Sequence, residues 1–333
     1  MTGVVGARES STAGEVRCPP FDRHGRLGLG VGLDMPWGAR VGFSDAGGHD
    51  GVTGPVREYL RSNMDEFGYA FFSFQPRDMG PLKADRYFPA YDDFCDLVGD
   101  RPRVFHHTRL NIGCPDEFHK SEVGEFTNAL IDRYRFSWIV EDLGIWNFRG
   151  KILPYPLPPL LTPEGLKRCV DHATQWREII DAPLSIEFPG FSEGGSFFLG
   201  KENAFDYFAA LVREAGTFAT IDIGHILSYL WITGVHGDRV RAELSRLPLE
   251  RCIEFHLSGC QIVNGRFRDL HHGILLDEQL DLVRLLLPLC PKLVGITYED
   301  PVFDATGTLV PKSIPNYLRL REVAAQWSTN VPD

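Results

Sequence analysis

The sequence predicts one α/β domain folded as a (β/α)8 TIM barrel. Eight short apolar runs alternate with eight segments of helical periodicity. Most of those runs end in Asp, Glu or His, and barrels build their active sites at the C-terminal strand ends. No internal repeat or low-complexity tract breaks the alternation after residue 26.

Each strand candidate has a helical partner. Leu27–Leu33 leads through a Gly-rich loop to Pro55–Glu66, Tyr69–Phe74 precedes Tyr91–Val98, and Arg103–Asn111 precedes Asp116–Tyr134. Trp138–Leu143 pairs with Pro163–Ile180, Leu184–Phe188 with Ala204–Glu214, and Phe218–Ile223 with Asp238–Ser245. Cys252–Leu257 with Asp277–Leu287 and Leu293–Tyr298 with Ile314–Trp327 complete the count. The helix after Thr162 carries the plainest start signal. Thr162 is a capping residue, Pro163 suits the first helical position, and Glu164 meets the positive end of the helix dipole. Cys169, Val170, Ala173 and Trp176 then recur at helical spacing. Leu153–Pro163, rich in proline, reads as a loop inside the domain. The domain is expected to span residues 27–327, behind a polar, Gly/Ser-rich disordered leader at 1–26.

Composition narrows the function. The chain has 333 residues, 43% of them hydrophobic, and a net charge of −11, which repels phosphate backbones and argues against nucleic acid. No run of about 18 apolar residues suggests a membrane span, and residues 1–26 contain no signal-peptide core. Seven cysteines are scattered with no CxxC, a pattern that fits reduced thiols in a cytoplasmic protein.

The chemistry lies at the strand ends. An unpaired charge at the end of a buried strand is costly, so many of them converging on one barrel mouth imply a metal. His106, Asp142, Glu187, Asp222, His256 and Glu299 come from six strands, His225 lies one turn past Asp222, and His271 follows the seventh strand. Mixed imidazole and carboxylate ligands suit iron, manganese or zinc. Arg109, near His106, is a candidate to hold a substrate carboxylate. Simpler roles remain for neighbouring residues. His107 and His272 read as packing groups, Glu141 and Glu254 as outward salt bridges, and Cys260 as a small buried hydrophobe. Asp269 reads equally as a loop cap or a ligand. His24, His49, His119, His172 and His236 read as solvent-facing, and Phe72, Phe74 and Trp146 as possible pocket walls.

The motifs resemble one family from about residue 100 to 305. His106-His107-Thr108-Arg109-Leu110-Asn111-Ile112-Gly113, Pro156-Leu157-Pro158-Pro159 and Ile186-Glu187-Phe188 occur in order. Ile221-Asp222-Ile223-Gly224-His225, Glu254-Phe255-His256-Leu257-Ser258-Gly259-Cys260, Asp269-Leu270-His271 and Thr297-Tyr298-Glu299-Asp300 follow. This series is similar to the multinuclear non-heme iron-dependent oxidative enzymes that include the methanobactin oxidase, within the xylose-isomerase-like TIM barrels. The resemblance implies an oxidoreductase of natural-product biosynthesis. Such an enzyme would use O2 on an amino-acid- or peptide-derived substrate, or another small molecule, with a separate recognition protein as a possible partner. It implies one to three irons, cycling between Fe(II) and Fe(III), held by His106, Asp142, Glu187, Asp222, His225, His256, His271 and Glu299. Glu187 would bridge two of them, and Glu187, His256 and Arg109 would form the catalytic set. The chain departs from the family pattern where Trp37, Asp142 and Cys260 stand in place of histidines, and where Gly224 and His225 stand in place of asparagines. A divalent-metal sugar isomerase or epimerase on the same barrel type is the alternative reading.

Overall fold

A computed structural model describes residues 25–33, 58, 61–74, 80–118, 120–191, 200–271, 273–299 and 313–329. Twelve strands are present among them: β1 (Gly28–Leu33), β2 (Tyr69–Ser73), β3 (Arg103–His107), β4 (Trp138–Asp142), β5 (Ile145–Phe148), β6 (Lys151–Leu157), β7 (Leu184–Glu187), β8 (Phe218–Asp222), β9 (Cys252–Leu257), β10 (Gly259–Val263), β11 (Arg266–His271) and β12 (Gly295–Glu299). The α-helices are α1 (Phe88–Val98), α2 (Ser121–Tyr134), α3 (Pro163–Ile179), α4 (Ala204–Ala215), α5 (Ile223–Ile232), α6 (Arg239–Leu244), α7 (Asp277–Leu286) and α8 (Ser313–Thr329). Eight parallel strands close into a barrel in the order β1-β12-β9-β8-β7-β4-β3-β2. This is the (β/α)8 barrel the sequence predicts.

Alternation along the strands separates two cores. Phe72, Phe105, Ile139, Ile186, Ile221, Phe255 and Ile296 belong to the main hydrophobic cluster with the surrounding helices. Tyr69, Phe71, Val104, Trp138 and Val140 form the smaller cluster inside the barrel. That inner floor depends on two glycines. A Cβ at Gly30 would stand 2.2 Å from the Tyr69 ring, and one at Gly295 would stand 2.5 Å from it. The absence of a side chain at these two positions, one on β1 and one on β12, lets a tyrosine cross the barrel interior.

The helix ends follow local chemistry. The Thr162 hydroxyl accepts the Gly165 N–H at 3.0 Å, and Pro163 takes the first turn of α3, as expected. Asn203 caps α4, accepting from Phe205 and Asp206. Asp222 ends β8 and caps α5, accepting the His225 N–H at 2.7 Å.

Several expectations are corrected. The third strand ends at His107, not Asn111, because the chain turns and Asn111 adopts a positive φ of 55°. Leu153–Pro163, expected to be a loop, begins inside β6, which pairs with β5 in a hairpin, and the Asp269 segment belongs to the β10–β11 hairpin. Helix α5 begins directly after β8, ahead of the expected helix at Asp238. The expected Pro55–Glu66 helix lies partly outside the described residues, and the leader expected at 1–26 lies almost wholly outside them.

Candidate metal centre

Parallel register aligns the strand ends. Asp142 pairs with Glu187, Asp222 with His256, and His256 with Thr297 two residues before Glu299. His106, Asp142, Glu187, Asp222, His225, His256 and Glu299 are all buried. Glu187 is central. Its Oε2 lies 3.2 Å from His106 Nε2 and 2.9 Å from His256 Nδ1, and its Oε1 lies 3.5 Å from His225 Nδ1. His256 Nδ1 is also 3.1 Å from Glu299 Oε1, His106 Nε2 is 3.6 Å from Asp142 Oδ2, and His225 Nε2 is 3.2 Å from Asp269 Oδ2.

Three overlapping groups have spacing suited to a metal ion: His106, Glu187, His256 and Glu299; Asp142, Glu187 and His225; and Asp222, His225 and Asp269. The shared members, Glu187 and His225, link the groups into one chain. The His225 tautomer assigns it further. Its Nδ1 lies 2.7 Å from the Phe188 carbonyl, which can only accept, so Nδ1 carries a proton, and Nε2, facing Asp269, is the nitrogen that would ligate a metal once its own proton leaves.

Local electrostatics are those of a proton-filled ligand set. Burial pushes the Asp142 carboxyl up to about 7, aided by Glu187, and burial with the Asp269 charge raises Asp222 to about 7. Burial opposes a charged His106, but the Glu187 hydrogen bond and the Asp142 charge outweigh it and raise His106 to about 9. His225 and His256 are also raised against burial, by Asp222 and Glu187 respectively. Burial works against the Glu187 carboxylate, yet the His256 and His106 contacts hold it below its usual range.

Hydrogen bonds leave parts of this set unsatisfied. Asp222 Oδ2 and both His256 ring nitrogens are buried without a hydrogen-bond partner. His256 Nδ1 is near two carboxylates without a hydrogen-bonding geometry to either, an arrangement suited to a third atom shared between them. Below it, His256 Nε2 lies 3.4 Å from Glu254 Oε1. Glu254 accepts from the Tyr69 hydroxyl at 3.0 Å, Trp138 Nε1 at 2.7 Å and the Thr297 hydroxyl. The Phe71 ring packs 5.3 Å from that of His106 and edge-on, 5.2 Å, to that of His256.

Several side chains occupy places other than those expected. Glu254 faces the barrel interior, because its two-residue spacing from His256 puts both on one face. Phe72 points outward against Phe94 and Phe136, and Phe74 packs on His107 and Phe126, so Phe71 takes the inner position. His172 is fully buried on α3, with Nδ1 3.3 Å from the Ile112 carbonyl. His236 is exposed, as expected.

His107 is a packing group, as expected. It accepts the Arg109 N–H at Nδ1 and donates from Nε2 to Thr127, and burial keeps it neutral. Glu141 faces away from the mouth, but in a buried setting: it accepts the Leu110 and Asn111 N–H groups, and burial raises it to about 8. Its 3.5 Å approach to His107 is not an ion pair, because burial keeps that imidazole neutral. Arg109 is buried beside these residues. The backbone of His271 ends β11; its side chain, with Trp37, His24, His49, His119, His272 and Asp300, lies outside the described residues. Asp269, which the sequence left open between cap and ligand, stands with Asp222 and His225.

Residues 86–299 match the family described as RiPP precursor modification enzyme MbnB/TglH/ChrH. The chain belongs to this family. The resemblance drawn from its motifs is thereby borne out, and the chain is an enzyme of a RiPP-modifying family. It is similar to a UPF0276 protein of Rhizobium meliloti (strain 1021), with 29% identity over 253 residues that cover 74% of this chain and 70% of that protein. A UPF0276 protein of Bordetella pertussis (strain Tohama I) is 26% identical over 218 residues, covering 63% of this chain and 72% of its own. Among solved structures, a D-allulose 3-epimerase from Methylomonas sp. in complex with D-allulose aligns with a TM-score of 0.49 at 11% identity, over 90% of this chain and 97% of that one. A D-psicose 3-epimerase from Clostridium cellulolyticum H10 with D-tagatose gives a TM-score of 0.48 at 9% identity, over 91% and 97%.

Proposed function

We propose that this family member is an iron-dependent, O2-using oxidative enzyme. Its substrate is an amino-acid- or peptide-derived molecule of natural-product biosynthesis, presented with or without a separate recognition protein in the cytoplasm. The observation that carries the reading is the His256 imidazole. It lies 2.9 Å and 3.1 Å from two carboxylates with neither ring nitrogen hydrogen-bonded, while Asp222 Oδ2 is orphaned nearby. The five acids Asp142, Glu187, Asp222, Asp269 and Glu299, fully ionised, carry a charge that two or three divalent cations would balance. A single ion would satisfy His106, Glu187, His256 and Glu299 but leave Asp222, His225 and Asp269 as a second buried charged cluster. That second cluster favours the oxidative, multi-ion reading over a one-metal sugar epimerase.

The donor set fits iron: imidazole and carboxylate ligands suit it, and when bound it would supply O2 activation and electron transfer. The protein's own residues do the rest. Glu187 presents one oxygen to His106 and His256 and the other to His225, and so is placed to bridge. Tyr69, Phe71 and Trp138 seal the barrel beneath the mouth against water. Arg109, next to β3, is assigned to a substrate carboxylate.

Protein purified and iron-loaded without air should contain two or three irons per chain by elemental analysis and show coupled iron by Mössbauer and EPR spectroscopy. It should consume O2 with a cysteine-containing precursor peptide. Absence of bound transition metal would reject the reading, and full turnover without O2 would point to the isomerase alternative.

A further inference from the structure

The Asp222, His225 and Asp269 group has a sulfur neighbour. Cys260 on β10 is the cross-strand partner of Asp269 on β11, and partners directly opposite on a hairpin share a face. The Cys260 Sγ lies 4.0 Å from Asp269 Oδ1 and is buried. Residue 224, between Asp222 and His225, is a glycine. The point where its Cβ would stand lies 3.1 Å from Asp222 Oδ1, 3.1 Å from Cys260 Sγ and 3.3 Å from Asp269 Oδ2. Ligand atoms from three separate elements thus surround a gap that any other residue at 224 would fill. The other oxygen of the Asp222 carboxyl, Oδ2, is fully buried without a hydrogen-bond partner, an independent sign that this carboxyl is short of a cation.

We propose that Cys260 is a thiolate ligand of the cation held by Asp222, His225 and Asp269, so that one position of the centre is sulfur-ligated. The inference rests on the metal-centre reading above and adds the sulfur to it. Metal–sulfur and metal–oxygen bonds of about 2.3 and 2.0–2.2 Å allow two ligand atoms of one ion to stand up to about 4.5 Å apart, and the 4.0 Å between Cys260 Sγ and Asp269 Oδ1 lies within that reach. Binding replaces the thiol proton by the metal and releases that proton to solvent, with no change in oxidation state. A thiolate makes this position softer than the neighbouring one built from His106, Glu187, His256 and Glu299, and favours zinc, ferrous iron or cobalt over magnesium there.

The test is anaerobic titration of the metal-free protein with cobalt(II) chloride, without substrate, followed in the near ultraviolet. Wild type should develop a sulfur-to-cobalt charge-transfer band. Cys260→Ser and Cys260→Ala should lose it, while Cys95→Ser, altered far from the mouth on α1, should keep it. Metal-edge X-ray absorption of zinc-loaded wild type should show a sulfur scatterer at about 2.3 Å, amounting to one per chain and so a fraction per zinc, a readout that needs no variant to fold. Cobalt uptake by wild type with no such band, or a band that survives Cys260→Ser, overturns the sulfur ligand and leaves the metal centre standing. Failure of wild type to take up cobalt overturns both.

Discussion

Glu254 shows what a single residue contributes beneath a metal-binding histidine. Three buried donors, on Tyr69, Trp138 and Thr297, fix its carboxylate, and the carboxylate lies 3.4 Å below His256 Nε2. A carboxylate there favours keeping the proton on Nε2, so that Nδ1, between Glu187 and Glu299, is the nitrogen that would give up its proton to a metal. Glu254→Gln should therefore fold and yet lose about 10–100-fold in metal affinity, the usual effect of removing such a support, as read by chelator competition. Unchanged affinity would show that the floor carboxylate has no hold on the imidazole. The residue was legible as a type and misassigned in direction. Period-two spacing places Glu254 and His256 on one face, whereas the outward reading treated Glu254 as a neighbour of the inward position. Phe71 and Phe72 show the same sensitivity, since a shift of one residue exchanges the barrel interior for the helix layer.

The elements that position the centre differ in how plainly they are written. Most of the barrel strands were readable because they are short, apolar and buried on both sides, with a polar residue near the mouth. The hairpins were not. β6 carries prolines, which are depleted in strands, and the pair lacks an alternating buried face, with Tyr155 73% exposed, so their pairing depends on tertiary contacts. Asn111 supplies one such contact. It sits at φ 55°, its Oδ1 accepts the Trp146 N–H at 2.7 Å and the Asn147 N–H at 3.2 Å, and its Nδ2 donates to the Asn147 carbonyl at 2.9 Å. Asn111→Ala removes these bonds and places an alanine in the left-handed region, so it should cost about 1–3 kcal/mol. Hydrogen exchange should locate the loss, with faster exchange at Trp146 and Asn147 and little change in the barrel strands. Uniform loss across the barrel would mean that Asn111 supports the whole fold rather than the hairpin. Helix α5 escaped notice because Asp222 serves two ends at once, closing β8 and capping the helix that delivers His225.

At the scale of the molecule, the centre concentrates like charges in the barrel mouth, on a chain whose net charge is already −11. No helix among the described residues is long and apolar enough to cross a membrane. In the metal-free protein, protons stand in for cations, and the sign of the resulting pH dependence is determined. His106 is raised to about 9, so its contribution to stability is complete below its ordinary value near 6.5 and is lost as pH rises through 9. Asp142 and Asp222 are raised to about 7, so theirs is complete near pH 4 and is lost as pH rises through 7. Glu187, held low, acts in the opposite sense, but only on acidification below the ordinary carboxylate range. The metal-free melting temperature should therefore fall between about pH 6 and pH 9. Metal binding needs these same groups deprotonated, so affinity should rise across that window, and ligand at about 100 times Kd adds about 2.7 kcal/mol to the folded state. The gap in melting temperature between metal-loaded and metal-free protein should widen steadily from about pH 6 to pH 9 in matched buffers, by calorimetry. A gap that stays level or narrows over that range would mean that the buried acids and imidazoles at the mouth are not exchanging protons for metal.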